Sequence, residues 1–165
     1  MKSNNNSVDI SEMTIDDLPA VFHLGEKLFT PQEFPNLYRT WSEYAVTEIF
    51  QGDPELCLVA AVGESLAGFA MAYTIEKPRT AWNYGHLVWL GVDVPYQRFG
   101  VATKLLDCLQ DKLAEKGVRI LLVDTQADNK GAIQFFKNCG FKNPKEHVYL
   151  TLNLDENQDN NQNSK

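Results

Sequence analysis

The chain is poor in cysteine, in basic residues and in long apolar runs. Its three cysteines, Cys57, Cys108 and Cys139, are odd in number and far apart. They build neither a disulfide framework nor a metal knuckle, and a reduced, cytoplasmic compartment is the expectation. The three histidines, His23, His86 and His147, show no metal-ligand spacing either. Lysine and arginine number 15 against 22 aspartates and glutamates, a formal net charge of −7. That sign disfavours a generic nucleic-acid or anionic-membrane binder, so neither is expected as a partner. No apolar stretch approaches the roughly 18 residues of a membrane helix, and the polar opening, 1–7, has no signal-peptide core. What is present is ordinary for one globular domain: 165 residues, 44% hydrophobic and 22% charged, enough for a self-sufficient core.

The ends, 1–7 and the Asn/Gln-rich 155–165, carry too little apolar side chain to offset ordering entropy and are expected to be disordered. Between them lies a single domain, 8–154, with no repeat and no linker. A short strand is predicted at 8–13. Thr14 then caps a helix start, with Asp17 at the box position and Ile15, Leu18, Phe22 and Leu28 as a partial stripe. After the break at Pro31 and Pro35, Leu37, Trp41, Ala45 and Ile49 fall at spacings of four and predict a helix over 36–50. Two strands, 56–62 and 66–76, are joined by a Gly63-Glu64-Ser65 turn. A third strand covers 86–94. The strongest helix is 101–116, with Val101, Leu105, Leu106, Leu109 and Leu113 on one face and Gly117 closing it. An apolar strand over 119–125, a short helix over 129–138, and closing strands from 141 and over 148–154 complete the order. This is an α/β fold in which a mixed, mostly antiparallel sheet carries helices on both faces, with one βαβ crossover over 86–125.

The run Val92-Asp93-Val94-Pro95-Tyr96-Gln97-Arg98-Phe99-Gly100-Val101-Ala102 joins a strand end to a helix start. Helix N-termini offer unpaired N–H groups and a positive dipole end, which suit phosphate. Gly100 permits a turn closed to other residues, and Arg98 adds a forked cation. It is neither a P-loop nor a Gly-x-Gly-x-x-Gly turn. Locally, a plain strand-to-helix turn with a surface arginine explains the run equally well.

Gln97-Arg98-Phe99-Gly100-Val101-Ala102 resembles the Gln/Arg-x-x-Gly-x-Gly/Ala motif of the GNAT N-acetyltransferase superfamily. Downstream, Asn129-Lys130-Gly131-Ala132-Ile133-Gln134-Phe135-Phe136-Lys137-Asn138-Cys139-Gly140-Phe141 is similar to that family's Asn…Ala-x-x-Phe-Tyr-x-x-x-Gly-Phe segment. The element order is similar too, and the likeness covers about 8–154. The resemblance implies an acetyl-CoA site. In the family, the strand before the loop splays from its parallel neighbour at a bulge, and the pantetheine arm lies in that V. Carried over, Leu90, Gly91 and Val92 line the arm, the Val92 N–H faces the thioester oxygen, Gln97, Arg98, Phe99, Gly100, Val101 and Ala102 hold the diphosphate, and Asn129 reaches the arm. A helix N-cap is the alternative role for Asn129.

The implied reaction is direct attack of an amine on the thioester. A lysine-type amine has a pKa near ~10.4 and must lose a proton, and the developing oxyanion needs a preset donor. His86, six residues before Val92 and on its side by strand periodicity, is the first candidate base; Glu33 is the second. The family often has a tyrosine where this chain has Phe136, which cannot donate, so Tyr149 or Tyr96 is the candidate acid. Each of these side chains also has a plain structural reading. The aromatics Phe34, Tyr38, Trp82, Tyr84 and Trp89 either line an acceptor cavity or pack loops onto the sheet. Cys139 is read as a buried helix-end residue rather than a nucleophile. The expected activity is transfer of acetyl from acetyl-CoA to a primary amine of a small molecule or protein, by a monomer or homodimer. The alternative is an acyl-CoA-binding, sensor-like module with little catalysis.

Overall fold

The computed structural model describes residues 7–29, 39–79, 82–148 and 150. Residues up to Gln126 form one compact unit and those from Ala127 a second. The first unit is built on a five-stranded sheet of β1 (Val8–Glu12), β2 (Cys57–Val62), β3 (Ser65–Ile75), β4 (Asn83–Val92) and β5 (Val118–Val123), lying side by side in chain order. All neighbours are antiparallel except β4 and β5. Gly63 opens the tight turn between β2 and β3 at φ 62°, a conformation that costs glycine nothing. The parallel step from β4 to β5 needs a crossover, supplied by α3 (Val101–Glu115).

α1 (Leu18–Leu28) and α2 (Glu43–Gly52) lie over one face of the sheet. Val21, Leu24 and Val46 pack there with Met13, Cys57, Val59, Phe69, Met71 and Trp89. α3 covers the other face with the predicted stripe Val101, Leu105, Leu106, Leu109 and Leu113, all buried. Thr14 fulfils its predicted capping role: its N–H and its hydroxyl both donate to Asp17 Oδ2, at 2.7 and 2.8 Å. The helix predicted over 36–50 begins only at Glu43, because Ser42 caps it by accepting from the Ala45 N–H. Trp41 is therefore not on that helix. Its indole lies directly over Gly25 of α1 and donates to the Phe22 carbonyl at 3.0 Å.

In the second unit, α4 (Lys130–Asn138) is capped by Asn129, whose side chain accepts from the Ala132 N–H at 3.1 Å. Phe136 packs between Phe135 and Phe141. The strand expected from 141 is not formed over 141–148. Most of the segment expected at 148–154 lies outside the described residues, as do Glu33, Phe34, Tyr38 and Tyr149.

Candidate active site

The ladder between β4 and β5 runs only from Asn83–Val118 to Leu87–Val123. Beyond Leu87 the two strands part. The departure coincides with a break in register on the other side of β4: Met71 opposes Trp89, but the next residue, Ala72, opposes Leu87. Val88 is thus an extra residue, a β-bulge, and bulges bend a strand and end regular pairing. The bulge also reverses which way the side chains face. Gly85 sits against Leu113 of α3, whereas Gly91 sits against Leu28 of α1.

This corrects the expectation for His86. The imidazole is paired across β3–β4 with Tyr73, on the α1–α2 face. Val92 pairs with Gly68, whose missing Cβ would meet Val101 of α3. Strict period-two counting places His86 and Val92 on one side; one inserted residue puts their side chains on opposite faces. The backbone of Val92 is unaffected by this. The Asp93 N–H donates to Ala67 of β3 at 2.9 Å, so by alternation the amides of Val92 and Leu90 point away from β3, toward the parted side. The Val92 carbonyl there accepts from the Gln97 side chain at 3.2 Å.

A short 3-10 turn at Val94–Tyr96 then leads into the loop before α3. Arg98 and Gly100 both take left-handed conformations, φ 69° and 75°. For arginine this is a strained state, of the kind that collects at functional sites. The first intrahelical bond runs from the Lys104 N–H to the Gly100 carbonyl at 3.0 Å, which leaves the amides of Val101, Ala102 and Thr103 without a helical acceptor. α2 and α4 are capped by their own Ser42 and Asn129 side chains; α3 has no side-chain cap. A Cβ on Gly100 would find nothing within 4 Å, so the space before these amides is open. Phe99 is exposed and Val101 is buried, which pins the loop to the core on one side only. A loop of turned-out amides at a positive helix end, beside an unpaired strand edge, fits a nucleotide diphosphate followed by an amide-bearing arm.

His86 does not stand alone. Its Nε2 lies 2.6 Å from Asp124 Oδ1 and its Nδ1 lies 3.0 Å from the Tyr73 hydroxyl. Arg39 donates to the same Asp124 oxygen at 2.5 Å and to the carbonyl of the bulge residue Val88 at 3.3 Å. Burial, then the Arg39 guanidinium, hold the imidazole below its ordinary pKa, so it is neutral and able to accept a proton near pH 7. Sequence reading missed Tyr73, Asp124 and Arg39. Tyr73 is opposite His86 only once the bulge sets the register, and Arg39 and Asp124 lie 47 and 38 residues from His86 along the chain.

Cys57 is a core thiol that burial pushes up to about 12, and burial raises the half-buried Cys108 as well, which argues against nucleophilic roles for both; Cys139, expected to be buried, is half-buried at the end of α4. Trp89 is a buried core aromatic beside Phe29 and Trp41. Trp82 is exposed. Among the described residues no cluster of His, Cys, Asp or Glu forms a metal site, and no helix is long and apolar enough to cross a membrane.

Residues 22–141 match the model of the acetyltransferase (GNAT) family. The chain is 30% identical over 132 residues to the [ribosomal protein bS18]-alanine N-acetyltransferase of Escherichia coli K12, covering 80% of this chain and 79% of that one. It is 27% identical over 118 residues to human N-alpha-acetyltransferase 30, covering 72% of this chain and 32% of that one. In fold it resembles an aminoglycoside acetyltransferase from an uncultured soil metagenomic sample, with a TM-score of 0.70 at 21% identity over 90% of this chain and 99% of that one.

Proposed function

Since the chain belongs to the GNAT acetyltransferase family and is an N-acetyltransferase, we propose that its acceptor is the free α-amine at the N-terminus of a protein, and that residues 86–102 carry out the transfer. The single observation behind the choice of acceptor is the likeness to the ribosomal-protein alanine acetyltransferase, which spans 79% of that enzyme. The chemistry of the site supports it. An α-amine has a pKa of roughly 7.7–8.0 and a lysine amine roughly 10.4. A histidine held below its ordinary value is better matched to an α-amine than to a lysine amine.

Acetyl-CoA, the family's donor, supplies an activated acetyl thioester. The amides of Arg98, Gly100, Val101 and Ala102 hold its diphosphate at the start of α3, with Phe99 beside them and Gln97 bracing the turn. Leu90 and Val92 offer backbone groups to the arm along the parted edge of β4, at Gly91. The Val92 N–H is the oxyanion donor, turned away from β3 by the alternation of the strand. Asn129, a cofactor contact by family resemblance, caps α4. His86 is the group on which the proton comes to rest, and cysteines outside any disulfide suit a cytoplasmic enzyme.

The test is thiol release from acetyl-CoA with a peptide bearing a free N-terminal alanine, beside the same peptide N-terminally blocked but containing lysine. The free peptide is expected to gain one acetyl group and the blocked one none. Turnover of the blocked peptide at an equal rate overturns the acceptor assignment. His86→Ala is expected to lower kcat by about a hundredfold, the usual scale for a lost general base, with the KM for acetyl-CoA within about twofold of wild type. Because burial and the Arg39 guanidinium lower the imidazole pKa and so favour its neutral form, the loss should persist across the neutral range.

A further inference from the structure

We infer that the atom taking the acceptor's proton is the phenolic oxygen of Tyr73, with His86 behind it as the proton store and Asp124 and Arg39 as positioning residues. The inference deepens the acetyl-transfer reading and rests on it. Asp124 Oδ1 receives Arg39 at 2.5 Å and faces His86 Nε2 at 2.6 Å. A carboxylate oxygen held by a guanidinium only accepts, so Nε2 carries the imidazole proton. The single lone pair of the neutral ring is then on Nδ1, and it faces the Tyr73 hydroxyl at 3.0 Å. His86 therefore has no vacant lone pair for an incoming amine. The 3.1 Å approach of Arg39 Nη2 to Nε2 is that of two donors sharing one acceptor. Tyr73 and His86 meet edge to face, with centroids 5.3 Å apart, and the register pairs them directly across β3 and β4. The arrangement has the form of a base oriented by a carboxylate and acting through a hydroxyl.

The proton accounting closes. The acceptor first gives its ammonium proton to solvent and attacks as the neutral amine; as its nitrogen bonds to the acetyl carbon, one of its remaining protons passes to Tyr73 Oη and the phenolic proton passes to His86 Nδ1, leaving an imidazolium against Asp124. When the C–S bond breaks, the proton on His86 returns through Tyr73 to the departing sulfur. The phenol, the neutral imidazole and a free thiol result. The same hydroxyl thus covers the acid step that Phe136 cannot perform.

The assay is again acetyl-CoA with the N-terminal-alanine peptide. Tyr73→Phe should lower kcat by about a hundredfold, the lower end of general acid–base effects, with the acetyl-CoA KM and the thermal midpoint near wild type. Combined with His86→Ala it should be no slower than His86→Ala alone, since both break one relay. Asp124→Asn should lower kcat at least tenfold. It should also move the rising limb of the pH profile down, because Arg39 then faces the imidazole uncompensated while Tyr73 is unchanged. A Tyr73→Phe variant retaining more than half of the wild-type kcat, or losses that multiply in the double variant, would sink the relay while leaving acetyl transfer standing. A wild-type chain that binds acetyl-CoA yet acetylates no free-amine peptide removes the underlying reading and the relay with it.

Discussion

Gly100→Glu is expected to reduce coenzyme A affinity by at least about a hundredfold, since placing like charges against each other costs several kcal/mol. Gly100 is the residue before α3, at φ 75°. Its missing side chain leaves open space, with no atom within 4 Å of the Cβ position. A glutamate there meets no clash in the unliganded protein. It pays only the left-handed strain of about 1–2 kcal/mol. Its carboxylate instead sits before the Val101, Ala102 and Thr103 amides, competing for the donors and repelling the anion they are proposed to hold. The fold should survive with a thermal midpoint lowered by a few degrees, while the stabilisation conferred by millimolar acetyl-CoA disappears. Gly100→Asn, which tolerates the same backbone conformation without adding charge, should keep most of the affinity. If Gly100→Glu binds as tightly as wild type in a titration calorimeter, the diphosphate is held elsewhere.

Gly68→Val should lower stability, and it should reach the ligand as well. A Cβ at Gly68 would lie 2.6 Å from the Gly91 carbonyl oxygen, 3.2 Å from Val101 Cγ1 and 3.3 Å from Val92 Cα. Two of those three atoms are backbone and cannot rotate away, so β4 itself has to shift. Overpacking of this kind costs about 1–3 kcal/mol, and at this chain length each kcal/mol corresponds to roughly 2–4 °C in thermal midpoint. The displaced segment, Gly91–Val92, also contains the Val92 amide proposed to face the donor's thioester. Leu109→Ala, a cavity in the α3 stripe, supplies the control: it should cost about 2–5 kcal/mol and leave acetyl-CoA affinity unchanged at a temperature where both variants are folded. Equal affinity for the two variants would separate the strand from the binding site.

Much of the scaffold could be read from residue patterns alone, for local reasons. The α3 stripe repeats at helical spacing, Gly63 marks the tight turn, and Thr14 and Asp17 form a short-range pair, so each element carries its own signal. α2 was less legible because Trp41 continues the apolar period past the true helix start; the indole obeys the room left by Gly25 on another helix rather than the periodicity of its own segment. The loop before α3 was visible because Gly100 and the strand-to-helix transition are encoded side by side. The His86 environment was not. Four side chains from β3, β4, the end of β5 and the approach to α2 converge there, and none predicts the others without the register. The inserted Val88 decided that register, and its apolar side chain looks like any other in an apolar strand.

That inserted residue has a wider reach than its size. Removing Val88 would restore an unbroken pleat, and every side chain from Trp89 to Val92 would rotate through the sheet. The Trp89 indole would press into the space shaped for α3, and Leu90 would enter the aromatic cluster around Trp41. The two faces tolerate different shapes, so the half-strand ahead of position 88 and the half-strand behind it accept substitutions by opposite rules, as though two unrelated segments had been spliced at that point.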